Sequence, residues 1–430
     1  MIEATIKPNN LLLLVLLLLS VMPYIYVGSY GMPVLYLLLP IGIVIFILVL
    51  FGKIRIPRIT KTLILLFILI LIEIFISTLY GTITTFNKFD IPTDSIQYVA
   101  RFITLISFIV WFYKGKIEVD KFIRYFLVFL NIAMLIGIFQ WIPWPGRELF
   151  IQLYPFRDGS LQLSQLDREL YRFRLHGIAQ FATANGGLAA FFFVFAYSVF
   201  KYYKKYNFLS ITLMVLTVIN IFASQARGGI LALFFSLFLF YFVSIYLNKS
   251  SIKPTLFMMT ASGIITTISI YLYNTGNKFI GSMVFRWNHL FEARGGARVD
   301  QIYYFISLLE NPFFYLFGLS KQVVNQSEIS YGVEIEPINI FVTYGAIGFL
   351  LQYSVIVVLL IYFLRNMRKC LENKAVLTLI VASFVGILSY QIFSLGYYFF
   401  RELRVGLFPW ILIGVAIGVL EKYSRDGCKL

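Results

Sequence analysis

The sequence predicts an all-α integral membrane protein with about 12 transmembrane helices. Hydrophobic residues make up 60% of the 430 residues and charged residues only 13%, whereas soluble domains carry roughly 25% charged residues. The apolar residues fall in blocks of about 17–25, the length of helix that crosses the hydrocarbon core of a bilayer. These blocks show no sustained alternation between faces, which favours a helical bundle over a β-barrel.

The apolar blocks give the order of the elements. The predicted helices cover 10–27, 32–51, 62–80, 97–113, 122–141, 178–200, 208–224, 229–247, 255–273, 339–364, 375–396 and 405–420. They divide the chain into helices one to five over 1–141, an outer loop over 142–177, helices six to nine over 178–273, a large outer loop over 274–338, and helices ten to twelve with a cytoplasmic tail over 339–430. No internal repeat is visible, which disfavours transporters built from inverted repeats.

Basic residues predict the orientation. More than half of the 36 Lys and Arg residues fall on alternate connections, as the positive-inside rule requires when both termini are cytoplasmic. These clusters lie at Lys7, 53–61, 114–124, 201–205, 249–253, 365–374 and 422–429. The formal net charge of +16 therefore indicates basic cytoplasmic loops, and we expect no nucleic-acid partner. The first apolar run lacks a small-residue cleavage site, so we expect it to remain as the first helix.

Cofactor and metal chemistry have no sequence support. Cys370 and Cys428 fall in segments assigned to the cytoplasm, which disfavours a disulfide framework or metal cluster. The chain has two histidines, and it contains no P-loop, Rossmann glycine motif, nucleophile elbow or HExxH. We therefore expect neither a metal nor a cofactor.

The first candidate for chemistry is Arg227, in the turn Ser-Gln-Ala-Arg-Gly-Gly over 224–229. Two glycines free the backbone, and a helix begins directly afterwards. The exposed N–H groups of a helix N-terminus beside an arginine suit a developing oxyanion. The alternative is a simple turn whose arginine reaches back to the interface.

The large outer loop carries further arginines. Arg294 and Arg298 flank two glycines, and an amphipathic helix is predicted from 297 to 310. Its predicted apolar face consists of Val299, Ile302, Tyr303, Ile306 and Leu309. The alternative is a helix that lies on the bilayer with its arginines near headgroups, an explanation that suits Arg286 better than Arg298.

Acids and histidines supply the remaining candidates. Glu334 and Glu336 precede the tenth helix, where a carboxylate serves either as a general base or as a cap of the helix N-terminus. Glu73 lies inside the third helix, where an acid is costly and suggests a function or an internal contact with an arginine or hydroxyl. His176 and His289 both lie on the predicted outer side, and a single histidine is usually structural.

Four motifs in the same order resemble the O-antigen ligase and polymerase superfamily, which includes the Wzy-type polymerases. They are Arg-Leu-His-Gly at 174–177 followed by Phe181 and Asn-Gly-Gly at 185–187, the turn at 224–231, the stretch from Ala297-Arg298 through Asn311-Pro312 to Phe317-Gly318, and Glu334 to Asn339 followed by Tyr-Gly-Ala-Ile-Gly at 344–348. The resemblance covers roughly residues 170–350.

The resemblance implies a GT-C-like fold in the bacterial cytoplasmic (inner) membrane. It also implies a polymerase of undecaprenyl-diphosphate-linked oligosaccharide repeat units for O-antigen or capsule, which acts at the outer leaflet without nucleotide sugar or metal. The implied partners are the lipid-linked oligosaccharides, the bilayer, a chain-length regulator and a flippase. The residues expected to act in catalysis are Arg227, Arg298, Glu334 and Glu336. The residues expected to bind substrate are Arg174, His176, Arg286, His289, Arg294 and Asn339.

One departure separates the two branches of the superfamily. Ligases carry a His-Asn pair shortly before the Gly-x-x-Gly helix, whereas this chain has Glu334 at the corresponding position. The departure favours a polymerase and leaves open which group is the base, with Glu334 slightly preferred to Glu336 on spacing. A ligase, a lipid-linked oligosaccharide flippase or other transporter, and a non-catalytic scaffold are the alternatives.

Overall fold

Nine helices in the described part of the chain are long and apolar enough to cross a membrane, which fits a multi-pass helical membrane protein. The computed structural model describes residues 8–27, 30–92, 94–115, 117–155, 174–179, 181–247, 298–329, 332–395 and 403–425, with short stretches between 260 and 285.

The helices are numbered in chain order. They are α1 Pro8–Ser20, α2 Leu39–Leu50, α3 Arg58–Phe86, α4 Ser95–Lys114, α5 Val119–Trp141, α6 Arg147–Leu153, α7 Ala182–Ser198, α8 Asn207–Ser224, α9 Arg227–Tyr246, α10 Arg298–Ser307, α11 Pro312–Phe317, α12 Lys321–Gln326, α13 Glu336–Met367, α14 Lys374–Ser394 and α15 Leu403–Arg425. Short 3₁₀ turns cover Val34–Leu38, Gly177–Ala179 and Arg368–Cys370, and a π turn at Val199–Tyr203 extends α7.

The predicted first helix is wrong over its last third. Helix α1 ends at Ser20, and Tyr24–Val27 pairs as an antiparallel strand with Tyr30–Pro33. Pro23 explains the early end, because proline has no N–H to continue a helix and restricts the residue before it. The Tyr-Ile-Tyr-Val that follows favours extended structure. The chain therefore carries a small β-hairpin that the all-α prediction lacks.

The predicted second span, 32–51, is shorter in the structure, since Tyr30–Pro33 is a strand, Val34–Leu38 is a 3₁₀ turn and the α-helix covers only Leu39–Leu50. Most other predicted spans agree with the structure within a few residues at their ends. Helix α3 is longer at both ends than the predicted 62–80, and it stops where Asn87 adopts a left-handed conformation with φ of 51°. Helix α7 begins later than the predicted residue 178, because Gly177–Ala179 forms a 3₁₀ turn. Ten of the 19 residues of the predicted helix over 255–273 are described, and all ten are helical. The other nine lie outside the described residues.

Helices α4 and α15 form a close pair in the bundle. A Cβ atom added at Gly414 would lie 2.9 Å from the carbonyl oxygen of Leu105, and one added at Gly418 would lie 2.7 Å from that of Ile109. Small residues four apart allow two helix backbones to approach closely in membranes, where packing and not hydrophobic burial drives association. This spacing therefore fixes α15 along the length of α4.

The basic ends of the helices gather at one end of the bundle. Lys205 Nζ at the end of α7 lies 2.8 Å from the carboxylate of Asp120 at the start of α5. Lys422 Nζ of α15 donates to the carbonyl of Gly115 after α4 at 3.2 Å. The guanidinium of Arg368 lies 4.2 Å from the ring centre of Tyr246 at the end of α9. We call this the basic end, and the predicted charge alternation requires such a gathering.

Helix α13 is broken at Gly345, whose φ of 64° and ψ of −170° are not helical. The residues before and after the break lie side by side, since Glu336 and Tyr353 border one cavity and are close enough to interact electrostatically. In a straight helix these two residues would be roughly 25 Å apart. Residues 336–344, the half-helix, therefore fold back along the second part of α13.

A second chain segment fills the break. The amides of Leu319 and Ser320 donate to the carbonyls of Val342 and Thr343 at 2.9 and 3.0 Å. Ser77 Oγ of α3 also donates to Thr343 O, at 2.9 Å. These bonds satisfy carbonyls that the break in the helical ladder exposes. The Phe-Gly and Tyr-Gly motifs of the sequence are thus one structural unit.

The segment from α10 to the half-helix has a small core of its own. Its buried residues are Phe305, Leu309, Phe314, Leu319, Val323, Val324, Val333 and Val342. The predicted face of α10 is partly wrong: Phe305 and Leu309 are buried, whereas Tyr303 is 71% exposed and Ile306 is exposed. Apolar residues lie on two sides of this helix, so periodicity alone does not tell which side meets protein.

We predict that Gly345→Ala lowers stability by about 3 kcal/mol or more. The added Cβ would lie 2.2 Å from the carbonyl oxygen of Leu316, at a positive φ that already disfavours alanine. Gly52→Ala is the matched control, because Gly52 has a φ of 70° and open space around it. We expect the control to lose about 1 kcal/mol. Equal falls in melting temperature for both variants would show that the contact with Leu316 is unimportant.

Candidate functional site

The turn between α8 and α9 places Arg227 at the first position of α9, partly buried. The turn is possible because Gln225 adopts a left-handed conformation with φ of 51°. A Cβ added at Gly229 would lie 2.7 Å from the backbone of Gly186 in α7, so the two glycines allow the helices to cross at this point. The N-terminus of α9 is thereby held against the start of α7.

Arg174 ties the preceding segment to this turn. Its Nε donates to the carbonyl of Ser224 at 2.9 Å, and its Nη2 donates to Thr183 Oγ1 at 3.2 Å. The amide of Leu175 donates to Ala223 O at 3.1 Å. The first two motifs of the sequence therefore meet, and Arg174 holds them together at the end of α8 opposite the basic end.

His176 is fully buried in the same segment. Its Nε2 donates to the carbonyl of Tyr154 at 3.0 Å. Burial lowers the pKa of His176 to about 4, against an opposing effect of this hydrogen bond. This environment favours a structural role, in which a neutral imidazole joins its own segment to the chain at Tyr154.

A second group of predicted residues surrounds the start of α13. Arg298 Nη2 lies 3.1 Å from Glu334 Oε2, and both side chains are partly buried. Gln301, one turn further along α10, accepts from the amide of Glu334 at 3.1 Å. Asn339 donates to Val333 O at 2.9 Å and is buried. Asn339 therefore shapes the entry to the half-helix, whereas Arg298 and Glu334 lie nearer to solvent.

Glu336 lies at the start of the half-helix, and its side chain is 2% exposed. It borders a cavity of about 60 Å³ that also has Arg101 of α4 in its wall. The other polar residues around this cavity are Tyr98, Gln352, Tyr353 and Gln391. The N-cap residue is Ile335, which makes no side-chain capping hydrogen bond, whereas Glu336 lies in the first turn of the helix. An acid in that position favours the helix N-terminus, so the capping alternative stays open for Glu336.

A pair of buried acids lies beside the half-helix. Glu73 of α3 is 3% exposed, and its carboxylate fills the space that a Cβ at Gly348 would need, 2.7 Å away. Asp94 lies near enough to interact electrostatically with Glu73 and accepts from the hydroxyl of Tyr344. Among the described residues Glu73 has no hydrogen-bond partner. The expected contact of Glu73 with an arginine or hydroxyl is thus absent from the described residues, and its neighbours are Gly348 and Asp94.

Helix α14 joins the two groups. Gln391 borders the cavity of Glu336, and Phe393, two residues later, packs against the positions of Gly187 and Gly228. Both groups therefore lie at the same end of α14, away from the basic end where this helix begins. We call this the site end. It contains Arg174, Arg227, Arg298, Glu334 and Glu336 of the predicted residues.

Three predicted residues, Arg286, His289 and Arg294, lie outside the described residues. Arg101 and Asp94 also lie at the site end, and neither was among the predicted site residues. An arginine in the predicted span 97–113 is a costly residue within a membrane, and that rule alone was sufficient to single out Arg101. Asp94 just precedes this span and gave no comparable signal.

Fold and site together define a multi-pass helical membrane protein with a broken helix and a polar, arginine-containing region at one end. The chain matches no protein-family model and no curated protein sequence.

We predict that His176 makes the protein sensitive to acid. Its pKa of about 4 in the folded state lies below the usual value of about 6.5 in an unfolded chain. Between these values the unfolded state binds a proton that the folded state does not, so lowering the pH favours unfolding. The stability that this neutral histidine contributes is complete above pH 6.5 and falls by roughly 2 kcal/mol at pH 5.

Melting temperatures of wild type and His176→Gln at pH 7 and pH 5 test this prediction. We expect the melting temperature to fall less between pH 7 and pH 5 for the variant than for wild type, because the glutamine side chain does not titrate. Identical falls in the two proteins would refute a buried neutral His176.

Proposed function

We propose that the protein polymerises undecaprenyl-diphosphate-linked oligosaccharide repeat units of a bacterial surface polysaccharide. The observation that carries the proposal is the convergence of the motif residues at the site end. Arg174 contacts Ser224, Gly186 contacts Gly229, and the pair Arg298–Glu334 lies beside the joined Phe-Gly and Tyr-Gly motifs. Four motifs that are distant in sequence therefore form one region, as a shared reaction requires.

The region fits glycosyl transfer from a lipid diphosphate. In this reaction the bond between the anomeric carbon and the diphosphate oxygen breaks, and the acceptor hydroxyl oxygen bonds to that carbon. The hydroxyl proton passes to a base, and the lipid diphosphate leaves with the bonding electrons. Arginines stabilise the growing charge on the leaving oxygen, best in a partly dry site. Arg227 at a helix N-terminus suits that task.

The geometry shifts the preference for the base from Glu334 to Glu336. Glu334 Oε2 is engaged by Arg298 at 3.1 Å. Glu336 is more deeply buried and borders a small, mainly apolar cavity that also has Arg101 in its wall, where an acceptor hydroxyl would find a carboxylate shielded from bulk water. In this proposal Arg298 and Glu334 hold the entrance, and Glu336 receives the proton.

The proposed orientation has the basic end in the cytoplasm and the site end at the outer face of the bacterial cytoplasmic membrane. Both termini are then cytoplasmic. A flippase delivers the lipid-linked units to the outer leaflet, and a chain-length regulator acts on the growing polymer. The GT-C-like class of the fold belongs to the same proposal.

A flippase or transporter is the second candidate, and one observation favours it. Glu73, Arg101 and Glu336 are buried on three different helices, and ionisable groups within membrane spans often mark transport pathways. A ligase is less favoured, because the His-Asn pair of ligases has Glu334 at its place in this chain.

The first test uses cells that lack the wild-type protein and produce the Arg227→Ala or the Arg227→Lys variant in its place. We predict surface glycan of a single repeat unit with either variant, because lysine lacks the two-pronged geometry of arginine. Arg124→Ala removes an exposed arginine near the basic end and is expected to leave polymer length unchanged. If the single repeat unit is also lost from the cell surface, and lipid-linked units accumulate on the cytoplasmic side, the result would support a flippase instead.

The second test concerns the base. In a purified polymerisation assay we expect Glu336→Gln to slow turnover by about 100- to 10,000-fold with normal expression. Glu334→Gln keeps the shape of the side chain but weakens the pair with Arg298, so we expect a smaller effect, mainly on KM. A larger loss in kcat for Glu334→Gln than for Glu336→Gln would reverse the assignment. Near-normal turnover of the double variant Glu334→Gln, Glu336→Gln would exclude both acids as the general base.

A further inference from the structure

An apolar groove lies between α1, α2 and α4, away from the site end. Its volume is about 350 Å³. The residues that border it are Leu11, Val15, Leu35, Leu38, Leu39, Ile41, Gly42, Ile45, Ile103, Thr104, Ser107, Phe108, Val110, Trp111, Lys114 and Gly115. Almost all of these side chains are apolar, and the groove follows α4 from its middle to its end at Lys114.

The walls of the groove do not suit water. A buried water needs two to four polar partners, and among the described residues that border the groove only Ser107 and Thr104 carry a hydroxyl. Thr104 already donates to Ala100 O at 2.7 Å. A long apolar groove beside the membrane-spanning α4 is instead the shape of a hydrocarbon chain, whose burial there is favourable along its length.

Cations gather where the groove ends. Lys114 borders it, and Lys422 donates to the carbonyl of Gly115, which also borders it. The guanidinium of Arg425 lies 5.0 Å from the ring centre of Tyr113. Three positive charges from the ends of α4 and α15 therefore surround one mouth of the groove.

The acids near this mouth have other partners. Glu118 lies 2.7 Å from Lys121, and Asp120 lies 2.8 Å from Lys205. Glu421 accepts from the hydroxyl of Tyr362 at 2.7 Å. The local charge of the mouth is thus positive, which favours an anion such as phosphate.

We propose that the groove binds an anionic phospholipid, with one acyl chain along α4 and the phosphate at Lys114 and Lys422. The cations lie at the basic end, and the stretch of α4 from Arg101 to Lys114 separates them from the cavity at the site end by roughly 20 Å. The lipid is therefore distinct from a lipid-diphosphate donor whose diphosphate is held at Arg227. In the proposed orientation it comes from the cytoplasmic leaflet.

Native mass spectrometry of the full-length protein tests this proposal with phosphatidylglycerol and phosphatidylcholine offered in equal amounts. We expect wild type to retain phosphatidylglycerol preferentially. The double variant Lys114→Gln, Lys422→Gln is expected to retain about 25-fold less, about fivefold for each cation removed. The control, Lys204→Gln with Lys369→Gln, removes two exposed positive charges at the basic end that do not border the groove and do not pair with Glu118 or Asp120. It is expected to stay within twofold of wild type.

Ile41→Trp supplies an independent measurement. Ile41 borders the groove and is 57% exposed, so a larger side chain fits there and narrows the groove while the cations remain. We expect it to reduce phosphatidylglycerol retention without changing the melting temperature of the delipidated protein. Undiminished retention by the Lys114, Lys422 double variant, or equal retention of the two lipids by wild type, would overturn the proposal. Preferential retention of a polyprenyl phosphate that depends on Lys114 would also overturn it.

Discussion

The break of α13 at Gly345 is the constraint on which the site end depends. A membrane-spanning helix leaves no backbone group unsatisfied, so a break within it requires new donors for the freed carbonyls. The amides of Leu319 and Ser320 and the hydroxyl of Ser77 supply them. The approach is close enough that both Gly318 and Gly345 must lack a side chain. The position of Glu336 within the bundle is a consequence of this junction.

The same junction explains a group of costly buried side chains. The fold-back brings Tyr344 to Asp94 and Gly348 to Glu73. Burying an ionisable group without a hydrogen-bond partner costs several kcal/mol when it is charged. Such groups add little stability to a largely apolar bundle, so their concentration around one broken helix supports the proposal that this region is functional.

Sequence predicted what depends on local composition. Span lengths and the gathering of basic ends follow from hydropathy and charge, which need no tertiary information. The hairpin after Pro23 was predictable from the same residues, but the long apolar run favoured a continuous helix instead. The fold-back at Gly345 was not predictable, because its donors come from residues 316–320 and from Ser77. The Arg298–Glu334 pair depends likewise on tertiary structure. Arg101, in contrast, was recognisable from the sequence, because burying an arginine within a membrane span costs free energy.

The way the half-helix is held bears on the choice between enzyme and transporter. Alternating access needs elements that move against one another around the binding site. Here the half-helix is joined by backbone hydrogen bonds to residues 319–320, which in turn lie against Gly81 of α3 with no room for a Cβ. Glu336 therefore lies on a half-helix that is bonded to residues 319–320 and, through them, to α3. The proposed catalysis benefits from such a support, because fixed groups stabilise a transition state without the cost of reorganisation. A transport cycle that moved the half-helix against α3 would have to break these bonds at each turnover, and this difference favours the proposed enzyme over a transporter of that kind.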